Sequence, residues 1–105
     1  MTAVRSFLRI QPKPGKREHL IRFYADNRII EIAVERGLSD GGELLIPADP
    51  DAPLVVTCTW PSREHYAEWV SSRPAAAGDL ADLVELPDSG LPAGDLFDIE
   101  AVIHP

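Results

Sequence analysis

Leu54-Val55-Val56-Thr57-Cys58-Thr59-Trp60-Pro61-Ser62-Arg63-Glu64-His65-Tyr66-Ala67-Glu68-Trp69 decides how this chain is read. Its first seven residues are rich in β-branched side chains, and strict alternation puts Leu54, Val56, Cys58 and Trp60 on one face. That pattern predicts a strand with one buried side. Pro61 closes the strand, and Ser62 is suited to cap a helix running from Arg63 to about Ser72. Such a helix turns Tyr66, Trp69 and Val70 inward. Both tryptophans, one of the two tyrosines and one of the three histidines fall between Trp60 and Trp69. Chemistry is expected at this strand-to-helix corner.

Upstream, Val4 to Ile10 alternates, with Val4, Ser6, Leu8 and Ile10 on one face and Arg5, Phe7 and Arg9 on the other. This predicts a second half-buried strand. Pro12, Pro14 and Gly15 stop it, and the run from Lys16 to about Arg36, free of both residue types, predicts one long helix ended by Gly37. Leu20, Phe23, Tyr24, Asn27, Ile30 and Val34 form its main stripe, and Ile21, Ala25, Ile29 and Ile32 a weaker second apolar side. Asp40-Gly41-Gly42 suggests a bulge or turn, and Glu43 to Ile46 a short strand. The acidic, proline-rich connection from Pro47 to Pro53 is either an ordinary surface hairpin or a lid.

Downstream, Pro74 ends the helix of the corner. Ala75 to Leu86 predicts a further short helix through Leu80, Leu83 and Val84, Asp88 to Asp95 a linker, and Leu96 to His104 a last strand. The order is the split βαβ pattern of an α+β, ferredoxin-like domain over residues 1–105: a four-stranded antiparallel sheet with helices on one face. Phe7, Leu45 and one row of the last strand then share the uncovered face. An apolar sheet face is rarely left in water, so a homodimer joined through its sheets is expected.

The composition narrows the functional classes. A net charge of −7 spread along 105 residues repels phosphate backbones, which argues against nucleic acid. One cysteine, Cys58, excludes an internal disulfide framework, and its apolar neighbours suggest a buried, inert thiol. No leader or membrane-length apolar window is legible, so a cytoplasmic location is the expectation. No histidine or carboxylate pattern has metal-ligand spacing, and no phosphate loop, nucleophile elbow or nucleotide fingerprint occurs; neither a metal nor a cofactor is expected.

The element order, Pro14-Gly15 at the start of the first helix, and above all the Trp60 corner with Ser62-Arg63-Glu64, Tyr66 and Trp69 resemble the antibiotic biosynthesis monooxygenase family over essentially the whole chain. The resemblance implies a dimeric α/β barrel with a pocket between sheet and helices in each subunit. It also implies, for the polyketide-oxidising group, cofactor-independent oxidation of an anthrone-like aromatic by O2. Trp60 and Tyr66 match that group's pocket residues. Where it places an asparagine four residues before the tryptophan, this chain has Val56. The family's haem-degrading group expects an asparagine on the first strand, which is absent, and a histidine where Val70 stands. A cyclase-like or non-catalytic binding dimer is the remaining alternative.

Trp60, Tyr66 and Asn27 are the candidate catalytic residues. Trp60 offers a flat wall and an N–H donor, or ordinary core packing; the Tyr66 hydroxyl reaches a phenol or quinone oxygen, or a backbone group. Asn27, polar within an apolar stripe, binds a backbone carbonyl or turns into the pocket. Arg63, His65, Arg73, Phe23 and Cys58 are the candidate substrate-binding residues: the arginines neutralise a phenolate or enolate, or are exposed residues paired with Glu64 or Glu68, and His65 is a base or a solvent-facing residue. His19 and His104 are weaker candidates.

Overall fold

A computed structural model describes residues 2–73, 80, 82–85 and 94–105. The expected helix over 75–86 and the linker over 88–95 lie largely outside them. The elements are β1 (Val4–Ile10), α1 (Arg17–Asp26), α2 (Ile29–Glu35), β2 (Gly41–Leu45), β3 (Leu54–Trp60), α3 (Arg63–Ser71) and β4 (Asp95–Asp98). The four strands lie in the order β2-β3-β1-β4, with every neighbouring pair antiparallel. This is the expected ferredoxin-like α+β arrangement.

The register explains the core. Val4 lies opposite Trp60, Ser6 opposite Cys58, Leu8 opposite Val56 and Ile10 opposite Leu54, so the inward faces of the two central strands coincide. Val4, Leu54 and Trp60 are essentially inaccessible to water. Leu20 and Tyr24 of α1, Ile29 and Ala33 of α2, and Tyr66 and Trp69 of α3 close over them. Residues 11–13 pair with a stretch beyond α3: Lys13 N–H donates to the Leu83 carbonyl at 2.9 Å and Glu85 N–H to that of Gln11 at 2.8 Å. Leu80 and Val84 are thereby carried into the core.

The long helix is two helices. Asn27 ends α1, and Arg28 adopts a left-handed backbone (φ 51°, ψ 42°) before α2 begins. The Asn27 backbone N–H and its side-chain amide both donate to the Phe23 carbonyl at 3.0 Å, so the amide supplies a local bond that competes with helix continuation. The break re-phases the apolar pattern: Ile29 and Ala33 turn inward, while Val34, placed by periodicity in the main stripe, is 43% exposed. Gly37, at φ 74°, ends α2 as expected.

Two boundaries also differ. β2 takes in both glycines, because Gly42 lies directly opposite Cys58 and a Cβ there would sit 2.4 Å from the Cys58 sulfur. β4 ends at Asp98, opposite Val4, instead of running to His104. One more bond follows, from Ile99 N–H to the Ala3 carbonyl, and beyond that the tail has outrun β1. The 47–53 connection is tied to the start of α1 by Arg17, which donates to the Pro47 carbonyl, and to the residue after β1 by Gln11, which donates to that of Asp51.

On the uncovered face Phe7 meets Phe97 edge-on at 5.5 Å, and Phe97 and Leu45 remain 54% and 42% exposed. No helix among the described residues is long and apolar enough to cross a membrane.

Candidate functional site

The corner folds as its residues dictate. The Ser62 side-chain oxygen accepts from the His65 backbone N–H at 3.3 Å, capping α3, and lies 2.6 Å from His65 Nδ1. The cap aims α3 back across the sheet. Trp60 then meets Tyr66 nearly edge-on, with ring centroids 5.1 Å apart, and Trp69 at 6.2 Å. Arg36 covers Trp69 from the α2 side, its guanidinium 5.7 Å from the ring.

Between sheet and helices lies a cavity of about 50 Å³, lined by Ser6, Leu8, Val56, Cys58 and Trp60 from the sheet, by Tyr24, Ile29, Ile30 and Ala33 from α1 and α2, and by Tyr66, Trp69, Arg73 and Leu80. It stands where the resemblance places a pocket. Drug-sized ligands occupy pockets of about 300–1,000 Å³, so a polycyclic ring enters only if a wall moves outward. α2, bounded by the left-handed Arg28 and by Gly37, is the wall with backbone breaks at both ends.

The polar groups at this cavity are few. The Trp60 indole N–H donates to the Ser6 hydroxyl at 2.9 Å, so the ring presents its face and not its donor. The Tyr66 oxygen accepts from the Gly94 backbone N–H at 2.7 Å, which leaves the phenolic proton for a second partner. Burial pushes the Tyr24 phenol up to about 12, against the opposing pull of Arg73, with the Cys58 sulfur adding slightly to the rise. Burial likewise pushes the Cys58 thiol up to about 11, with Arg5 opposing. Both are neutral at physiological pH.

Of the eight residues singled out in the sequence, Trp60, Tyr66, Cys58 and Arg73 line the cavity and four do not. The Asn27 amide is spent on the Phe23 carbonyl. Arg63 pairs with Asp98 on the surface at 2.8 Å, and His65 is held at the Ser62 cap. Phe23 packs edge-on against Tyr24, 6.1 Å between centroids, from outside the lining. Tyr24 and Ser6 were not singled out. The signals were present: Tyr24 lies on the main helical stripe, and Ser6 is the polar member of an otherwise apolar strand face.

No protein-family model matches the sequence, and no curated protein matches it. Solved structures do resemble it in fold. Rv0793 from Mycobacterium tuberculosis superposes with a TM-score of 0.69 at 18% identity, covering 98% of both chains. A Bacteroides thetaiotaomicron protein of unknown function, described as a possible oxidoreductase, gives 0.71 at 13% identity over 93% of this chain and 98% of its own. The heme-degrader MhuD (Rv3592) from Mycobacterium tuberculosis, with two hemes bound in its active site, gives 0.56 at 22% identity over 98% of each chain. At these identities the likeness is one of fold: the chain shares the ferredoxin-like architecture of Rv0793 and MhuD along nearly its whole length.

Proposed function

We propose that this chain is a cofactor-independent monooxygenase for a flat, anthrone-like aromatic, working as a homodimer joined through the uncovered sheet face. The observation that carries the reading is the Trp60–Tyr66 corner inside an apolar cavity, with a phenol whose oxygen already accepts a hydrogen bond and whose proton is left to donate. The resemblance of the same corner to the polyketide-oxidising enzymes supports it.

The chemistry asks little of the protein. An anthrone loses a ring C–H proton to give an enolate, and this electron-rich anion adds O2 at the same carbon. The resulting hydroperoxide expels water to leave a quinone: one anthrone and one O2 give one anthraquinone and one H2O. Among the described lining residues there is no carboxylate or histidine, so the proton goes to a water molecule that enters the cavity with the substrate and returns from it to the peroxide anion formed when O2 adds. The protein contributes by stabilising the enolate. The Gly94 N–H polarises the Tyr66 hydroxyl, which strengthens it as a donor to the enolate oxygen. Trp60 supplies a flat wall, and the aliphatic lining keeps bulk water out.

A haem-binding reading is favoured by the fold likeness to MhuD, with its two bound hemes. The donors at the cavity do not fit it. Among the described lining residues there is no histidine, the Cys58 thiol is pushed up to about 11, the Tyr24 phenol to about 12, and the Tyr66 oxygen already accepts from Gly94. A haemin titration is expected to give no Soret shift beyond that of a nonspecific protein.

Oxygen uptake with 1,8-dihydroxyanthrone tests the enzymatic reading: the expected result is uptake well above the uncatalysed rate, with the corresponding anthraquinone as product. Binding without such uptake would leave the protein a non-catalytic binding module. The dimer is tested by sedimentation equilibrium, where a monomer at micromolar concentration overturns it.

A further inference from the structure

α2 separates the closed cavity from an open groove of about 460 Å³, which runs between α2 and the edge strand β2. Ile30, Val34 and Leu44 form the apolar part of the groove, and the carboxylates of Glu31, Glu35 and Glu43 also line it. Pockets that hold drug-sized ligands run from about 300 to 1,000 Å³. The groove reaches that range and the cavity, at about 50 Å³, does not. Ile30, half-buried, is the one described residue that lines both spaces. The helix carrying it is fixed unevenly. At its C-terminal end Arg36 donates to the Ser72 carbonyl at 2.7 Å and lies over the Trp69 ring. Its N-terminal end follows directly on the left-handed Arg28, and Ile29 and Ile30 are its first two residues.

We infer that the groove is the entry vestibule of the cavity, that Ile30 is the gate between the two, and that this route admits uncharged aromatic ligands in preference to anions. The inference rests on the reading of the cavity as a ligand site, and it deepens that reading by naming the path and the charge class of the ligand. A ring system docks against Ile30, Val34 and Leu44. The first turn of α2 then swings outward about Arg28 while Arg36 holds the other end, and the ring passes Ile30 to reach the faces of Trp60 and Tyr66. The three carboxylates outnumber the one guanidinium that lines the groove, Arg28, which is itself paired with Glu35. A negative potential of this kind repels anions at the encounter step. An anthrone therefore crosses in its neutral keto form and is deprotonated only inside.

The test uses two probes that O2 does not oxidise in the dark, 9-anthracenemethanol and 9-anthracenecarboxylate. Binding is followed by stopped-flow energy transfer from Trp60 and Trp69, both of which line the cavity. In the full-length protein the alcohol is expected to associate about threefold faster than the carboxylate at low ionic strength, the gap closing as salt is added. Ile30→Ala is expected to raise the association and dissociation rates of the alcohol together, each about tenfold, with little change in affinity, which is the signature of a gate. Ile21→Ala removes a similar half-buried side chain that lines neither space, and is expected to leave both rates as they are. Unchanged rates in Ile30→Ala, the same acceleration in Ile21→Ala, or a carboxylate that associates as fast as the alcohol overturns the inference and leaves the cavity a ligand site. No binding of the alcohol overturns both readings together. Because neither probe is turned over, the outcome is independent of oxygen uptake.

Discussion

The indole N–H of Trp60 donates to the hydroxyl of Ser6 at 2.9 Å, with both residues buried. Ser6 lies opposite Cys58, so Trp60 is its diagonal neighbour two residues further along β3, within reach of a long side chain on the same face. The bond turns the edge of the ring toward β1 and leaves its face to the cavity. Ser6→Ala removes the acceptor and strands a buried N–H, at a cost of about 1–3 kcal/mol. Urea denaturation is expected to show the loss as a lower midpoint at unchanged slope, with a changed Trp emission maximum.

Tyr66→Phe separates donor from wall. The ring contact with Trp60 at 5.1 Å survives, while the phenol bonded to Gly94 is lost. If the hydroxyl stabilises an enolate, kcat on an anthrone falls about 100-fold, the order of one oxyanion donor, with little change in KM. A variant with full kcat would show that the residue shapes the site and takes no part in the reaction.

Arg28 carries a side chain at φ 51°, a conformation that suits glycine better. Arg28→Gly gives up an exposed ion pair with Glu35, worth little in water. The expected net effect is a gain of about 0.5 kcal/mol in thermal or urea unfolding. Arg28→Val, β-branched at the same position, is expected to destabilise.

Gly42→Ala places a methyl group 2.4 Å from the Cys58 sulfur and 2.6 Å from the Thr57 carbonyl oxygen. Overpacking of this kind costs about 1–3 kcal/mol. Cys58→Ala in the same chain is expected to recover part of the loss and no more, because the Thr57 contact is backbone.

Stability is expected to fall at alkaline pH. The Cys58 thiol is raised from 9.0 to about 11 and the Tyr24 phenol from 10.0 to about 12, so each holds its proton in the folded state where the unfolded chain has released it. The contribution is complete below pH 9 and is lost as pH rises from about 9 to about 11 for Cys58, and from about 10 to about 12 for Tyr24. Each group adds at most about 1.4 kcal/mol per pH unit. Denaturation between pH 7.5 and pH 10.5 checks this, and Cys58→Ala should flatten the first part of the slope.

Short-range pattern determined much of this protein. β1 and β3 fall where alternation puts them, Ser62 caps α3, and the corner from Trp60 to Trp69 forms as its residues require. These features follow from periodicity and capping, which act within a few residues. What periodicity could not foresee is the break at Asn27–Arg28, where a side-chain amide takes a carbonyl and re-phases the next helix, or the end of β4 where β1 runs out of partners. The site divides in the same way. Trp60 and Tyr66 stood out in the sequence, but the Trp60 donor is held by a serine 54 residues away. Tyr24 reads as ordinary core until the tertiary structure brings it to the cavity wall with Arg73. Hydrogen bonding and charge at a buried cavity depend on which distant groups meet there, and only the packing of sheet against helices decides that.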